Sequence, residues 1–322
     1  MTTDTGRAGP PPEPARPRVP RRPGRRLQRA VLLVAPAALA ASFALMLREH
    51  PPVLIDLQVY RWAVATWLDG GDILGEAPVT SVGIALPWVY PPFALLPLSA
   101  VSLVPFPVGA GILYALDLLA LGGTLYLVAR HLWPHAGTPA AVAVAAALLP
   151  FTLFLEPVYA SFGLGQVNIV LMGLVAADCL AERPRWPRGV LIGIAAAVKL
   201  TPAVFVLFLL LRRDVRAAVV AVATAAVATG IGFLVDTTAS LDYWFGRGPA
   251  AGVSASAYRT NQSVAGGLAR LDLAPLLGTV LWVLLALVLL AMLVYRVRRV
   301  DAAPGVAATG LLALLVSPTS WS

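Results

Sequence analysis

The stretch "RGVLIGIAAAVKLTPAVFVLFLLLRR", Arg188 to Arg213, decides the fold. It is apolar and long enough to cross a bilayer core, which takes about 20 residues. Yet Lys199 and Pro202 lie near its middle. A proline removes a backbone hydrogen bond and bends or breaks a helix. A lysine at bilayer depth costs roughly 2.5–3.5 kcal/mol on insertion scales. Both flanks are basic, "ERPRWPR" (Glu182–Arg188) before and "RRDVR" (Arg212–Arg216) after. Basic loops stay on the cytoplasmic side, so a single crossing would strand one of them outside. A helix pair that dips in and returns keeps both inside. Such broken segments persist in a membrane only where they are buried in protein or line a cavity.

The rest of the chain repeats the apolar theme. Its 322 residues are 59% hydrophobic and 12% charged, about half the charge share of a soluble domain. Mean hydropathy is +0.80. Other apolar runs cover Leu27–Leu47, Phe93–Val104, Val108–Val128, Ala140–Leu155, Val167–Leu180, Ala217–Val235 and Pro275–Val294, and a last one begins near Val306. The expectation is an all-α polytopic membrane protein with about eight to nine hydrophobic segments. Residues 1–26 read as a disordered Pro/Arg-rich cytoplasmic tail, and 27–322 as one transmembrane domain. The net charge of +8 sits in the tail and the short loops. That is the positive-inside pattern, and it points away from nucleic acid as a partner. The single cysteine, Cys179, excludes a disulfide framework. The last run is too short to span before "SPTSWS" ends the chain, so a C-terminal part is expected to be missing.

With the basic tail inside, the first span emerges outside, just before "PPVLIDLQVYRW" (Pro51–Trp62). Asp56 is a lone carboxylate there. It suits two roles, the N-cap of the helix that follows or a general base. "DLQVYRWAVATWLDGG" reads as a short amphipathic helix on the membrane surface, with Leu57, Tyr60, Val64 and Leu68 on one stripe. Gly70 and Gly71 can end it. Trp88 and Tyr90 read as an interfacial pair, and Pro91-Pro92 suit the first turn of a new helix.

Polar groups elsewhere are few. Lys199 either snorkels or lines a cavity, where an ammonium suits a phosphate or another anion. In "EPVYASFGLGQVN", Glu156, Gln166 and Asn168 either cap helix ends or form part of a site. The loop from Asp236 to Leu273 carries Arg259, Asn261, Gln262 and Arg270. These residues suit sugar or phosphate recognition or simply a solvated loop. His131 and His135 flank Pro134 and have no third ligand nearby, so a juxtamembrane loop is expected rather than a metal site. There is no phosphate-binding P-loop, dinucleotide fingerprint or hydrolase serine motif.

Three patches in order, "DLQVYRWA", "GQVNIVLMGLVAAD" with "GVLIGIAAAVKLTPAVFVLFLLLRR", and "NQSVAGGLAR", resemble glycosyltransferase family 87. "SPTSWS" is similar to that family's SPxSW segment, which usually continues into a His-containing stretch. The resemblance runs from about Asp56 to the last residue. It implies a GT-C-type membrane bundle with external loops and a short interfacial helix. It also implies inverting transfer of mannose from polyprenyl-phosphate-mannose to a glycolipid or lipoglycan acceptor. Transfer takes place at the external face of the plasma membrane, with the N-terminus cytoplasmic. In that fold an acidic residue of the first external loop acts at the acceptor hydroxyl, and Asp56 matches the position. Asp69, Asp72 and Glu76 lie further along the same loop. Lys199, Arg259 or Arg270 would meet the departing phosphate. Tyr60, Glu156, Gln166, Asn168, Asn261 and Gln262 are the other substrate-binding candidates. The donor is lipid-linked, so no cofactor is expected and no metal is indicated. The alternatives are a secondary transporter or flippase of an anionic or lipid-linked substrate, and a scaffold for envelope assembly.

Overall fold

The computed structural model describes residues 24–246, 261–271 and 273–317. Among these residues fourteen α-helices follow one another: α1 (Arg25–Glu49), α2 (Ile55–Leu68), α3 (Leu95–Ser102), α4 (Phe106–Leu132), α5 (Thr138–Thr152), α6 (Glu156–Leu164) and α7 (Asn168–Leu180), then α8 (Val190–Val198), α9 (Val204–Leu211), α10 (Val215–Val235), α11 (Thr237–Phe245), α12 (Val264–Ala269), α13 (Pro275–Val297) and α14 (Ala302–Val316). Short 3-10 turns at Pro92–Ala94 and Thr201–Ala203 lead into α3 and α9. Among the described residues there is no strand beyond isolated bridges such as Val79 with Ala85. The protein is an all-α polytopic membrane protein.

Among the described residues four helices, α1, α4, α10 and α13, are long and apolar enough to cross a membrane. The α5–α6 pair makes a fifth candidate, bent by 73°. About eight to nine hydrophobic segments were expected. The remaining apolar runs fold instead as shorter helices around α3, α7, α9 and α14. The cause is visible in the sequence, because prolines and polar residues interrupt these runs and each interruption ends a helix. Three helices were not expected, α6 in a stretch read as a turn, and α11 and α12 in the long loop.

The opening stretch breaks where its chemistry predicts. α8 stops at Val198, Lys199 is extended (φ −147°, ψ 131°), and Pro202 sits in the 3-10 turn before α9. α8 lies against α10 so closely that a Cβ on Gly189 would fall 2.1 Å from the Ala217 carbonyl oxygen. One on Gly193 would fall 2.6 Å from that of Ala221. The two helices therefore start at the same end and run in the same direction. α9 finishes directly before α10 begins. The segment goes in at Gly189, turns at Lys199 and comes back at Leu211.

This arrangement gathers the basic loops at one end. Arg130 of α4 pairs with Glu182 at 3.1 Å. Arg212 donates to the Val297 and Val300 carbonyls at the end of α13, at 3.3 and 2.9 Å. The Glu182–Arg188 loop is fastened from within. Asp178, fully buried, accepts from the Trp186 indole and from the Gly189 and Ile192 backbone N–H groups. Arg188 donates to the Asp178, Cys179 and Ala181 carbonyls that α7 leaves open. The far end of α1 reaches the opposite face, where Met46 packs with Leu153 and Phe162 and His50 stacks on Tyr159.

At 1.5 Å per residue, α10 is about 31 Å long, α7 about 20 Å and α8 about 14 Å. α7 and α8 thus end part-way up the bundle. Their tips, Asn168 and Lys199, lie below the end that α10 reaches.

Candidate active site

α2 begins two residues earlier than a cap at Asp56 would require. Its N-cap is Leu54, held in the left-handed region (φ 49°), and no side chain caps the helix. The capping role expected as an alternative for Asp56 is therefore not its role. Asp56 lies inside the first turn, and its carboxylate is left for another partner.

The α6–α7 turn supplies that partner. Val53 and Leu54 both donate their backbone N–H to the Gly163 carbonyl, at 2.9 and 2.8 Å. Gly165 has φ +73°, and a Cβ there would meet Leu57 Cβ and Leu54 Cδ2 at 3.1 Å. Only glycine lets the start of α2 seat so closely on this turn. The next residue, Gln166, then donates through Nε2 to Asp56 Oδ2 at 3.2 Å.

The contact continues as a chain of bonds. Asn168 Nδ2 donates to Gln166 Oε1. Lys199 Nζ donates to Asn168 Oδ1 at 2.8 Å. The same ammonium lies 5.4 Å from the centre of the Tyr90 ring, a cation–π arrangement. The Tyr90 hydroxyl is 2.9 Å from that of Tyr60, and Trp88 packs against both rings. Five candidates scattered from position 56 to 199 converge: Asp56, Tyr60, Gln166, Asn168 and Lys199.

The electrostatics follow from burial. Asp56 is raised above the ordinary carboxylate value, chiefly by desolvation. The Gln166 hydrogen bond and the charge of Lys199 oppose that shift. Burial also raises the Tyr60 and Tyr90 phenols, so both stay neutral. A carboxylate lifted by burial is a stronger base than one in water. Asp56 Oδ1 carries none of these bonds.

The other candidates lie on other elements. Glu156 opens α6 and is exposed. The whole of α6 separates it from Gln166, so it does not join this chain of bonds. Asn261 is buried and accepts from Ser263 N–H and from the Arg270 guanidinium. Asn261 and Gln262 lie just before α12, and Arg270 lies at its end. Arg259 and most of the "SPTSWS" segment lie outside the described residues. The stripe of α2 faces protein rather than lipid, since Leu57, Tyr60 and Val64 are fully buried while Leu68 is exposed. Trp88 and Tyr90 are likewise buried, at 3% and 4% exposure, which corrects their reading as interfacial residues. Tyr90 was missed as a site residue because an aromatic next to prolines looks the same in a membrane-interface anchor. A cleft of about 470 Å³, lined by Trp67, Asp72, Asp236 and Asp242, opens where the ends of α2 and α10 meet.

Residues 88–318 match the model of glycosyltransferase family 87. The chain belongs to that family. A polyprenol-phosphate-mannose-dependent alpha-(1-2)-phosphatidylinositol mannoside mannosyltransferase of Mycolicibacterium smegmatis is 37% identical over 294 residues, covering 84% of this chain and 67% of that protein. The protein of the same description from Mycobacterium tuberculosis is 36% identical over 322 residues, covering 95% of this chain and 75% of its own length. A pentamannoside mannosyltransferase of M. tuberculosis is 31% identical over 316 residues. No solved structure matches the chain. The family 87 match begins at Trp88 and takes in Tyr90, Gln166, Asn168 and Lys199. Asp56 precedes it. The M. tuberculosis alignment leaves out only 5% of the chain, so the Asp56 segment falls within it.

Proposed function

We propose that this family 87 glycosyltransferase moves a mannosyl residue from polyprenyl-phosphate-mannose to a phosphatidylinositol-mannoside type of glycolipid, with inversion, and that Asp56 is the base. The observation that carries the reading is the single chain of bonds from a half-buried carboxylate to a half-buried ammonium. Displacement at a sugar carbon needs those two groups. Asp56 takes the proton of the acceptor hydroxyl as its oxygen forms the new bond to C1. The bond from C1 to the phosphate oxygen breaks, and the lipid phosphate leaves with the electron pair. Lys199 meets the charge that develops on it. One displacement with attack opposite the leaving group inverts the anomeric centre.

The depth of the site supports a lipid-linked donor. Asn168 and Lys199 stand at the ends of helices that stop part-way up the bundle, so the site lies at lipid depth, where a donor carrying a polyprenyl tail can come to it. The gathering of basic loops at the opposite end supports a cytoplasmic location for that end, and hence an external site in the plasma membrane. Membership of a glycosyltransferase family leaves the transporter and scaffold readings without a supporting observation.

The test is transfer in membranes carrying the protein, with labelled polyprenyl-phosphate-mannose and a mannosylated phosphatidylinositol acceptor. Wild type should form the extended glycolipid, and Asp56→Ala should lose at least about a hundredfold in kcat. Equal transfer by Asp56→Ala would sink the assignment of the base. Lys199→Met should raise the donor KM. If donor KM and kcat are both unchanged, Lys199 does not face the phosphate.

A further inference from the structure

Asp56 and Lys199 carry opposite charges in one half-buried site, yet they do not touch. Two amides, Gln166 and Asn168, lie between them. A carboxylate can only accept hydrogen bonds and an ammonium can only donate. These ends dictate how both amides face. Lys199 donates to the Asn168 oxygen, the Asn168 nitrogen donates to the Gln166 oxygen, and the Gln166 nitrogen donates to Asp56. Turning either amide over would set N–H against ammonium or oxygen against carboxylate.

We propose that Gln166 and Asn168 are a neutral spacer that keeps base and cation apart and aims each at its own part of the reaction. A direct ion pair at low dielectric would bind strongly and occupy both groups. Asp56 would then have less freedom to take a proton, and Lys199 less to meet a phosphate. With the spacer in place, Asp56 Oδ1 and the remaining N–H groups of Lys199 stay available. An inverting displacement requires such separation, because the attacking hydroxyl and the leaving phosphate lie on opposite faces of the sugar. The two catalytic groups of inverting hydrolases are held apart for the same geometric reason.

The backbone supports this role. Gln166 and Asn168 straddle the start of α7, Lys199 ends α8, and Gly165 seats the turn on α2. The ammonium is held from a second side by the Tyr90 ring. Lys199 therefore has two fixed contacts, and neither is an anion. Gln166 and Asn168 thus act as positioning residues.

The inference rests on the roles given above to Asp56 and Lys199, and the test separates the two. The isosteric variants Asn168→Asp and Gln166→Glu keep size and change only charge. They are assayed in membranes with labelled polyprenyl-phosphate-mannose across pH. Asn168→Asp puts a carboxylate on Lys199 and should raise the donor KM about tenfold or more. Gln166→Glu puts a second acid beside Asp56 and should move the acid limb of kcat upward by about one pH unit or more. In a Lys199→Met background, Asn168→Asp should add no further rise in donor KM, because the charge it neutralises is gone. An equal rise in both backgrounds would mean that Asn168 contacts the donor directly, and the spacer is refuted. Wild-type KM and an unshifted limb in both variants would refute it too. Full transfer by Asp56→Ala would instead overturn the base and leave the Asn168–Lys199 coupling standing on the donor KM.

Discussion

Gly165→Ala tests how the site is assembled without altering any polar group. Gly165 has φ +73°, and a non-glycine residue in that region costs roughly 1–2 kcal/mol. The added Cβ would also lie 3.1 Å from Leu57 Cβ. Carbon pairs prefer about 3.5–4.0 Å, so α2 must retreat by roughly 0.4 Å or more. Leu57 adjoins Asp56, whose bond from Gln166 is already 3.2 Å long. The retreat stretches it to about 3.6 Å, beyond a hydrogen bond of normal geometry. The expected result is a kcat lower by about ten- to a hundredfold, the range in which small misplacements of reacting groups fall. The donor KM should change little, since Lys199 is carried by α8. Thermal unfolding in detergent should drop by only a few degrees, which separates the effect from loss of the fold. Wild-type kcat in Gly165→Ala would refute the claim that this turn positions the base.

Four further outcomes follow from the structure. Asp56 is raised by burial, so kcat should climb with pH through a value above the ordinary Asp value of about 3.9. An acid limb at or below the ordinary value would contradict the buried base. The same raised value makes the site favour the protonated fold, so its contribution to stability falls as pH rises from the ordinary carboxylate range through the raised one, measurable by unfolding across pH. Tyr90→Phe keeps the ring beneath Lys199 and should leave donor KM within about twofold, whereas Tyr90→Leu removes a contact worth about 1–2 kcal/mol and should raise it about five- to thirtyfold. Asp178→Ala strands the Gly189 and Ile192 N–H groups and the Trp186 indole, and should cost about 2–4 kcal/mol in unfolding measurements.

The membrane class and most helices were legible in the sequence because they depend on local chemistry. Apolar runs need lipid or protein around them, Pro202 must break its helix, and the basic flanks of Arg188–Arg213 demand one side. The same logic flagged Lys199 and Asp56, since an ammonium at depth and an isolated carboxylate each call for an explanation. It could not choose between cap and base for Asp56, because both roles favour an acid at the start of a helix. It also misjudged Trp88 and Tyr90, because an aromatic pair beside prolines carries no mark of burial. Glu156 looked equivalent to Gln166 until α6 was seen to separate them.

Local chemistry therefore fixes the class of the protein, the break at Lys199 and the list of polar residues that require partners. Which of them meet is set by how the helices pack. Asp56, Gln166, Asn168, Lys199 and Tyr90 come from four different segments. They join because Gly165 lets α2 seat on the α6–α7 turn and because Gly189 and Gly193 let α8 lie against α10. Those close approaches are properties of helix surfaces far apart in the chain, and no local pattern of residues records them.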